Sequence, residues 1–150
     1  MKQINPEQAL HRLAAYCSRA ERCVSDVRRK MEAWEIPCEE QSRIIGRLTQ
    51  EKFLDEGRYC RAFVNDKSKY NHWGAYKIKY ELAKKQIPGH LIREALENID
   101  SEENLEQLRL LLEQKRKSIK GKNEFEIRQK LMRFAASRGF SQGEIEKALG

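Results

Sequence analysis

Residues that form disulfides or coordinate metal ions are scarce in this sequence. Its four cysteines, Cys17, Cys23, Cys38 and Cys60, have no C-x-x-C spacing, and its three histidines are scattered singly along the chain. Structural zinc sites need paired Cys and His ligands at short intervals, and disulfides belong to oxidising compartments. The pattern therefore predicts free thiols, no bound metal and no cofactor.

Long apolar runs are also missing. No stretch approaches the roughly 20 apolar residues needed to cross a bilayer, and residues 1–8 contain no apolar signal region. These absences favour a soluble protein of the cytoplasm that makes no membrane contact.

Groups suited to catalysis do not cluster either. Asp55, Glu56 and Asp66 lack the spacing of a known metal-ligand set, and no glycine-rich phosphate loop is present. Asp55 precedes a helical segment, where its carboxylate is better explained as an N-cap. We predict no enzymatic activity and no catalytic residue, with a nuclease as the most distant alternative.

Positive charge, in contrast, is in excess. The 30 Lys and Arg residues outnumber the 23 Asp and Glu residues, which gives a formal net charge of +7 at pH 7. Such a balance favours a partner rich in phosphate. Hydrophobic residues make up 39% of the chain and charged residues 35%, so we expect a thin or divided core.

Helical periodicity covers the chain, whereas strand-like alternation never lasts four residues without a helical alternative. Asn5, Asp55, Asp100 and Ser141 each precede an amphipathic segment as an N-cap residue, which predicts an all-α fold. Three finer expectations concern single residues. Arg58 is expected to pair with Asp55, Gly139 to end a helix with Phe140 folding back, and Phe125 to share an apolar face with Ile127, Leu131 and Phe134.

The same plan recurs three times at intervals of about 50 residues. The apolar positions align in three columns: Val27, Ile78 and Ile127; Met31, Leu82 and Leu131; and Ile36, Ile87 and Phe140. We predict three three-helix repeats, at residues 1–51, 52–99 and 100–150. Units this small stabilise one another by stacking. The expected shape is an elongated array, open to curvature, with a long binding surface and no deep pocket.

Residues 67–85 interleave cations with aromatic rings. Six lysines accompany a single acid, Glu81. Cations neutralise phosphates and rings stack on splayed bases, so this segment is a candidate contact surface for nucleic acid. The candidate residues are Lys67, Lys69, Tyr70, Trp73, Tyr76, Lys77, Lys79, Tyr80, Lys84 and Lys85. The alternative is a solvated lysine face, with Tyr76 and Tyr80 packed against the next repeat.

A second basic run follows in the third repeat, offset by Glu124 and Glu126. Its candidate contact residues are Arg116, Lys117, Lys120, Lys122 and Arg128. A solvated helix surface is again the alternative, and the sequence leaves open whether the two runs face the same way.

The central segment resembles the signature of the RecX family, bacterial regulators of the RecA recombinase. The resemblance is carried by F-L-D-E-G-R-Y-C-R-A-F-V from Phe53, Gly74-x-x-x-Ile78-x-x-Glu81-Leu82 and Lys85-x-Ile87, with Ala20-Glu21-Arg22 similar to the first repeat. Glu56 stands where an Asp is usual, and Gln86 replaces the usual Gly before Ile87. By match to the signature, the structural residues are Asp55, Arg58, Phe63, Gly74, Ile78 and Leu82.

The resemblance implies three tandem three-helix repeats that lie along the helical groove of the RecA filament on single-stranded DNA. Such a regulator typically inhibits ATP hydrolysis, strand exchange and co-protease activity, in recombinational repair and the SOS response. We expect a monomer that also binds single-stranded DNA weakly, without sequence preference, with duplex DNA left open. Gly74 would let its helix start approach a neighbour closely. The alternative is a stand-alone DNA-binding protein with helix-turn-helix-like units, such as a transcription regulator.

Overall fold

The computed structural model describes residues 4–150, and within that range the chain forms only helices, turns and connecting segments. The helices are α1 (Pro6–Arg19), α2 (Val24–Ala33), α3 (Cys38–Gln50), α4 (Glu56–Lys69), α5 (Ala75–Lys84), α6 (Gly89–Leu96), α7 (Ser101–Arg116), α8 (Glu124–Ser137) and α9 (Gln142–Leu149). The predicted all-α class is confirmed.

Side-chain caps begin several helices where the sequence predicts them. The Oδ1 atom of Asn5 accepts a hydrogen bond from the amide three residues on at 2.8 Å, and that of Asp55 does the same at 2.9 Å. Asp100 accepts from two amides of α7, and Ser141 forms a capping box at the start of α9. Caps of this kind each contribute about 1 kcal/mol to stability.

Each successive group of three helices encloses its own core. Leu13, Met31 and Leu48 are fully buried in the first group, as are Leu82 in the second and Leu131 in the third. Close helix contacts join members of one group, such as α1 with α3, α4 with α6 and α7 with α9. The predicted tandem three-helix arrangement is therefore confirmed.

The unit boundaries, residues 1–51, 52–99 and 100–150, stay predictions, and residues 1–3 lie outside the described part of the chain. Neighbouring units also share core residues. Cys23, from the connection between α1 and α2, is fully buried in the core of the second unit. The second unit therefore covers apolar surface that the first unit cannot bury alone.

One connection recurs at the end of the middle helix in every unit. Glu35, Gln86 and Gly139 have φ angles of 56°, 63° and 97°, and each is followed by a buried apolar residue. In the third unit the amide of Phe140 donates to the carbonyl of Ala135 at 3.2 Å, which confirms the predicted glycine cap. The first two units place residues with side chains in a conformation that favours glycine.

The predicted partner of Arg58 is wrong. Its Nε atom lies 2.7 Å from Oε2 of Glu21, and its guanidinium also donates to the carbonyl oxygens of Lys52 and Phe53. Asp55 is not its ion-pair partner, because the Asp55 carboxylate faces the backbone amide of Arg58 as the N-cap of α4. Arg58 thus joins the second unit to the first.

The predicted placement of Phe125 is also wrong. Its side chain is 71% exposed, whereas Leu131 on the same helix is fully buried. Phe125 precedes Ile127 by two positions, and residues two apart on a helix point to different faces. The apolar stripe of α8 therefore begins at Ile127, and Phe125 lies outside it.

Candidate nucleic-acid interface

Helix α5 presents an exposed face of aromatic and basic side chains. Tyr76 and Tyr80 lie one turn apart and are 65% and 63% exposed, with Lys79 and Lys84 exposed beside them. The Lys84 Nζ atom lies 5.1 Å from the centroid of the Tyr80 ring. Because both rings are open to solvent, the alternative that they pack against the next repeat is wrong. The α5 face is therefore available to a partner.

The charge of this face is only weakly compensated. Lys84 Nζ lies 3.2 Å from Oε2 of Glu81, in a pair whose lysine side chain is 55% exposed. Exposed pairs of this type contribute about 0–1 kcal/mol and are screened by salt. An incoming phosphate can compete with Glu81 for Lys84 at little cost.

Trp73 has a different role from the exposed tyrosines. Its half-buried ring packs on the second core and meets Phe63 edge-on, with ring centroids 6.4 Å apart. Two lysine Nζ atoms lie over the ring, Lys67 at 4.9 Å and Lys77 at 4.6 Å from its centroid. Each such contact contributes roughly 0.5–1 kcal/mol at an exposed site. Trp73 therefore positions two cations at the edge of the α5 face and is poorly placed to stack on a base.

The end of α4 adds Lys69 and Tyr70, both exposed, the tyrosine at 77%. Lys85 differs from its neighbours, because its Nζ atom lies 2.7 Å from Oδ1 of Asp26 and its side chain is only 32% exposed. Burial by itself would raise the pKa of Asp26, but hydrogen bonds from Lys85 and from Cys23 lower it below the ordinary value. Lys85 is thus held in a joint with the first unit and lies outside the exposed contact surface.

The second basic run is more solvated. Lys117, Lys120 and Lys122 are exposed in the segment between α7 and α8, and Arg128 is half-buried on α8. The Nη1 atom of Arg116 lies 3.0 Å from Oε2 of Glu124, whose side chain is 82% exposed. That pair is weak for the same reason as the Lys84 pair.

Phe125, which the sequence predicts to be in the core, occupies the position in the third unit that is equivalent to Tyr76 in the second. The two basic runs therefore share equivalent positions in the repeats. Phe125 stands 49 residues after Tyr76, and Arg128 stands 49 residues after Lys79, the same interval as between Leu82 and Leu131. An exposed ring followed three positions later by a cation thus occurs on the middle helix of both units. The alignment of the repeats contains the signal that could have identified Phe125.

A joint between two glycines fixes the start of α5 against the third unit. The Gly74 amide donates to the carbonyl of Arg138 at 2.7 Å, and the Tyr76 amide donates to that of Gly139 at 3.0 Å. A Cβ atom on Gly74 would lie 2.4 Å from the backbone of Gly139. The close approach expected at Gly74 is therefore present. At this joint, backbone amides at the start of α5, which have no partner within their own helix, donate hydrogen bonds to carbonyl oxygens at the end of α8.

The joint between the first and second units is ionic. The Oε2 atom of Glu56 accepts from the Val24 amide at the start of α2, at 3.0 Å. Burial raises the pKa of Glu56, and this hydrogen bond partly opposes the shift. Together with the Arg58 and Lys85 ion pairs, the contact ties α2 to the second unit. Glu56 therefore keeps an acidic side chain where the family usually has Asp, and its carboxylate accepts a hydrogen bond from the neighbouring unit.

Residues 4–150 contain no group of three or more His, Cys, Asp or Glu side chains arranged to hold a metal ion. None of the helices in this part of the chain has the length and apolar character needed to cross a membrane.

Comparison with family models gives two matches. Residues 55–96 match the model described as RecX, second three-helix domain, and residues 101–149 match the model described as RecX, third three-helix domain. The two matched segments contain the α5 face and the α8 positions Phe125 and Arg128.

Several curated proteins are similar to the chain. The regulatory protein RecX of Prosthecochloris aestuarii is 28% identical over 149 residues, which is 99% of this chain and 96% of that protein. That of Oceanobacillus iheyensis is 32% identical over 90% of this chain, and that of Halalkalibacterium halodurans is 34% identical over 70%. The matched segments span only 48% and 40% of the length of those last two proteins.

Solved structures show the same fold. A crystal structure of regulatory protein RecX superposes with a TM-score of 0.89 at 23% identity, covering 96% of this chain and 72% of that chain. A crystal structure of RecX from Lactobacillus salivarius gives a TM-score of 0.86 at 21% identity, covering 96% and 94%.

Proposed function

This chain belongs to the RecX family of regulatory proteins, and from that premise we propose that it binds the RecA recombinase filament on single-stranded DNA. Binding lowers the ATPase, strand-exchange and co-protease activities of the filament, in recombinational repair and the SOS response. The chain acts by contact, as a monomer in the cytoplasm, and performs no chemical step itself.

The observation that carries this proposal is the exposed ring and cation on successive units. Tyr76 with Lys79 and Phe125 with Arg128 occupy equivalent positions one repeat apart. A filament on DNA also presents the same groups at regular intervals, so a repeated contact suits a partner bound lengthwise. This supports occupation of the filament groove over capping of a filament end, because an end cap needs no repeated contact.

The chemistry of the face supports a partner that combines protein and nucleic acid. Lys67, Lys77 and Lys79 supply cations that neutralise phosphate, and the tyrosine rings supply flat amphipathic surface with few rotatable bonds. Tyrosine is common at protein interfaces for that reason. The same face therefore serves contact with the filament protein and weak, sequence-independent contact with the strand.

The test is the DNA-dependent ATPase of RecA on single-stranded DNA, measured at fixed salt while the full chain is titrated. We expect inhibition at or below one chain per RecA subunit. The double variant Lys79→Gln with Lys84→Gln should inhibit less well. The matched variant Arg43→Gln with Arg47→Gln removes two exposed, ion-paired cations from α3 and should inhibit normally.

An ATPase rate that does not change at equimolar chain would contradict the proposal. Tight binding to one duplex sequence that survives competitor DNA would support the alternative, a stand-alone DNA-binding regulator.

A further inference from the structure

A groove in the first unit lies outside the surface used by the proposed function. It runs between α1 and α2 with a volume of about 270 Å³, and Tyr16, Trp34, Arg12, Arg19 and Lys30 line it. Small-molecule pockets usually measure roughly 300–1,000 Å³. The groove therefore suits one flat group of a longer partner better than a whole enclosed ligand.

The groove is strongly positive. No Asp or Glu is among its lining residues, as far as the described chain extends. The ion pairs formed within residues 4–150 also leave out Arg12, Arg19 and Lys30. Three cations thus converge on one depression without a carboxylate to neutralise them, which favours an anionic occupant.

Aromatic rings lie beneath two of these cations, Arg12 and Lys30. The Lys30 Nζ atom lies 5.0 Å from the Tyr16 ring centroid, and the Arg22 Cζ atom lies 3.8 Å from it. The Arg12 Cζ atom lies 5.9 Å from the centroid of the half-buried Trp34 ring. Tyr16 is covered closely by Arg22, whereas the cation over Trp34 is more distant. Trp34 packs on the first core, as Trp73 packs on the second, but its cation is more distant than those over Trp73 and its ring lines the groove. Trp34 is therefore better placed than Tyr16 to accept another flat group.

We propose that this groove binds one nucleotide of a single-stranded nucleic acid. The base stacks on Trp34, and Arg12, Arg19 and Lys30 contact the flanking phosphates. An acidic peptide would also supply negative charge, but it has a flat ring beside that charge only if its sequence places an aromatic residue next to an acidic one. Every nucleotide carries both groups at a fixed short distance, and base–aromatic stacking tolerates any sequence. The site requires neither RecA nor the α5 face, so it goes beyond the proposed function.

The first test uses the full chain without RecA. The chain is titrated into a fluorescein-labelled oligothymidylate of about 20 nucleotides, and the anisotropy is followed between roughly 0.05 and 0.2 M salt, a range over which the Debye length falls about twofold. Each lost phosphate contact on a single strand removes about 0.7 from the slope of log K against log salt. Arg12→Gln with Lys30→Gln should therefore make the slope shallower by about 1.4. If the variant and the parent bind equally at about 1 M salt, the affinity of the variant at roughly 0.1 M salt should be about 25-fold lower.

The control is Arg43→Gln with Arg47→Gln, which removes the same charge from α3 of the same unit. It should keep the slope and nearly all of the affinity. Equal loss in the two double variants would overturn the proposal, because it would show that net charge alone governs binding.

A second measurement follows the ring itself. Trp73→Phe leaves Trp34 as the sole tryptophan, since the chain has two. Oligothymidylate should quench Trp34 fluorescence, whereas a glutamate-rich peptide containing one phenylalanine should not. Quenching by the peptide alone, or by neither ligand, would contradict the nucleotide assignment. If the parent chain did not bind oligothymidylate but still inhibited RecA, this inference alone would fail. Intact oligonucleotide binding without any effect on RecA would remove the proposed function only.

Discussion

Substituting Gly74 by alanine should loosen the third unit from the second. Gly74 has a φ of −81°, which alanine adopts easily, so the change introduces no backbone strain of its own. The added Cβ would lie 2.4 Å from the carbonyl carbon and oxygen of Gly139 and 2.5 Å from the amide nitrogen of Phe140. All three are backbone atoms, so no flexible side chain can move aside. The start of α5 must retreat from the end of α8.

The magnitude follows from what the retreat breaks. The hydrogen bonds from the Gly74 and Tyr76 amides across the joint contribute about 1 kcal/mol each. Residual overpacking costs about 1–3 kcal/mol, and the stiffer unfolded chain returns about 0.4–1 kcal/mol. We therefore expect Gly74→Ala to lower the free energy of unfolding by about 2–5 kcal/mol.

Urea unfolding followed by circular dichroism measures this change. Gly46→Ala is the matched control, because Gly46 lies within α3 and a Cβ there would meet nothing within 4 Å. It should stabilise the chain by about 0.5–1 kcal/mol. Since stacked units are coupled mainly to their neighbours, Gly74→Ala should also broaden the transition. If Gly74→Ala proved as stable as the parent chain, the glycine joint would not hold the two units together.

Two further changes test the end of α5 and the ionic joint between the first and second units. Gln86→Gly should raise the free energy of unfolding by about 0.5–1 kcal/mol, because it removes a side chain from a residue at φ 63°. The control is Gln114→Gly at an exposed position of α7, which should lower the free energy of unfolding by about 1 kcal/mol. If both substitutions changed the free energy of unfolding in the same direction, the positive φ of Gln86 would not be the cause. Lys85→Gln should cost about 1–3 kcal/mol near neutral pH, because it leaves the Asp26 carboxylate without its charged partner. Burial would raise the pKa of Asp26, but Lys85 helps to keep the folded-state pKa below the unfolded value. The stabilisation that Asp26 gains from this pairing is therefore present above about pH 3.9. It is lost as the pH falls through the folded-state pKa, and a penalty for Lys85→Gln that stays constant from pH 7 into acid would contradict this pairing.

The local features of the fold could be predicted from the sequence because they depend on neighbouring residues. The N-caps at Asn5 and Ser141 are satisfied by the amide three residues on, and the glycine cap at Gly139 follows from helix-end geometry. The repeated apolar columns also needed only the helical period, and Met31 and Leu82 are fully buried as the alignment implies.

The contacts between units could not be predicted in the same way. Helical spacing predicts a carboxylate three residues away as the partner of Arg58, whereas its partner Glu21 lies 37 residues away and reaches it only after two units pack. Composition groups Lys85 with the surface lysines, although Asp26, 59 residues away, holds its ammonium group. Composition identifies such side chains as charged, but their partners depend on the mutual orientation of the units.

For the candidate surface, composition found the basic and aromatic residues but not their individual roles. Composition groups Trp73 with the tyrosines, whereas the structure packs its ring on the second core beneath two lysines. Apolar character alone predicts that Phe125 belongs to the core. Its equivalence to Tyr76 follows from the spacing of the repeats, so the correct assignment was accessible from the sequence through the register of the units.

The most direct test of the central claim is the binding of this chain to a preassembled RecA filament on single-stranded DNA. Co-sedimentation would compare the parent chain, Tyr76→Ala, Phe125→Ala and the double variant. Both rings are exposed, so helical content and melting temperature should not change. We expect each single variant to weaken binding and the double variant to weaken it by about the product of the two factors. Undiminished binding of the double variant would show that the repeated face does not contact the filament.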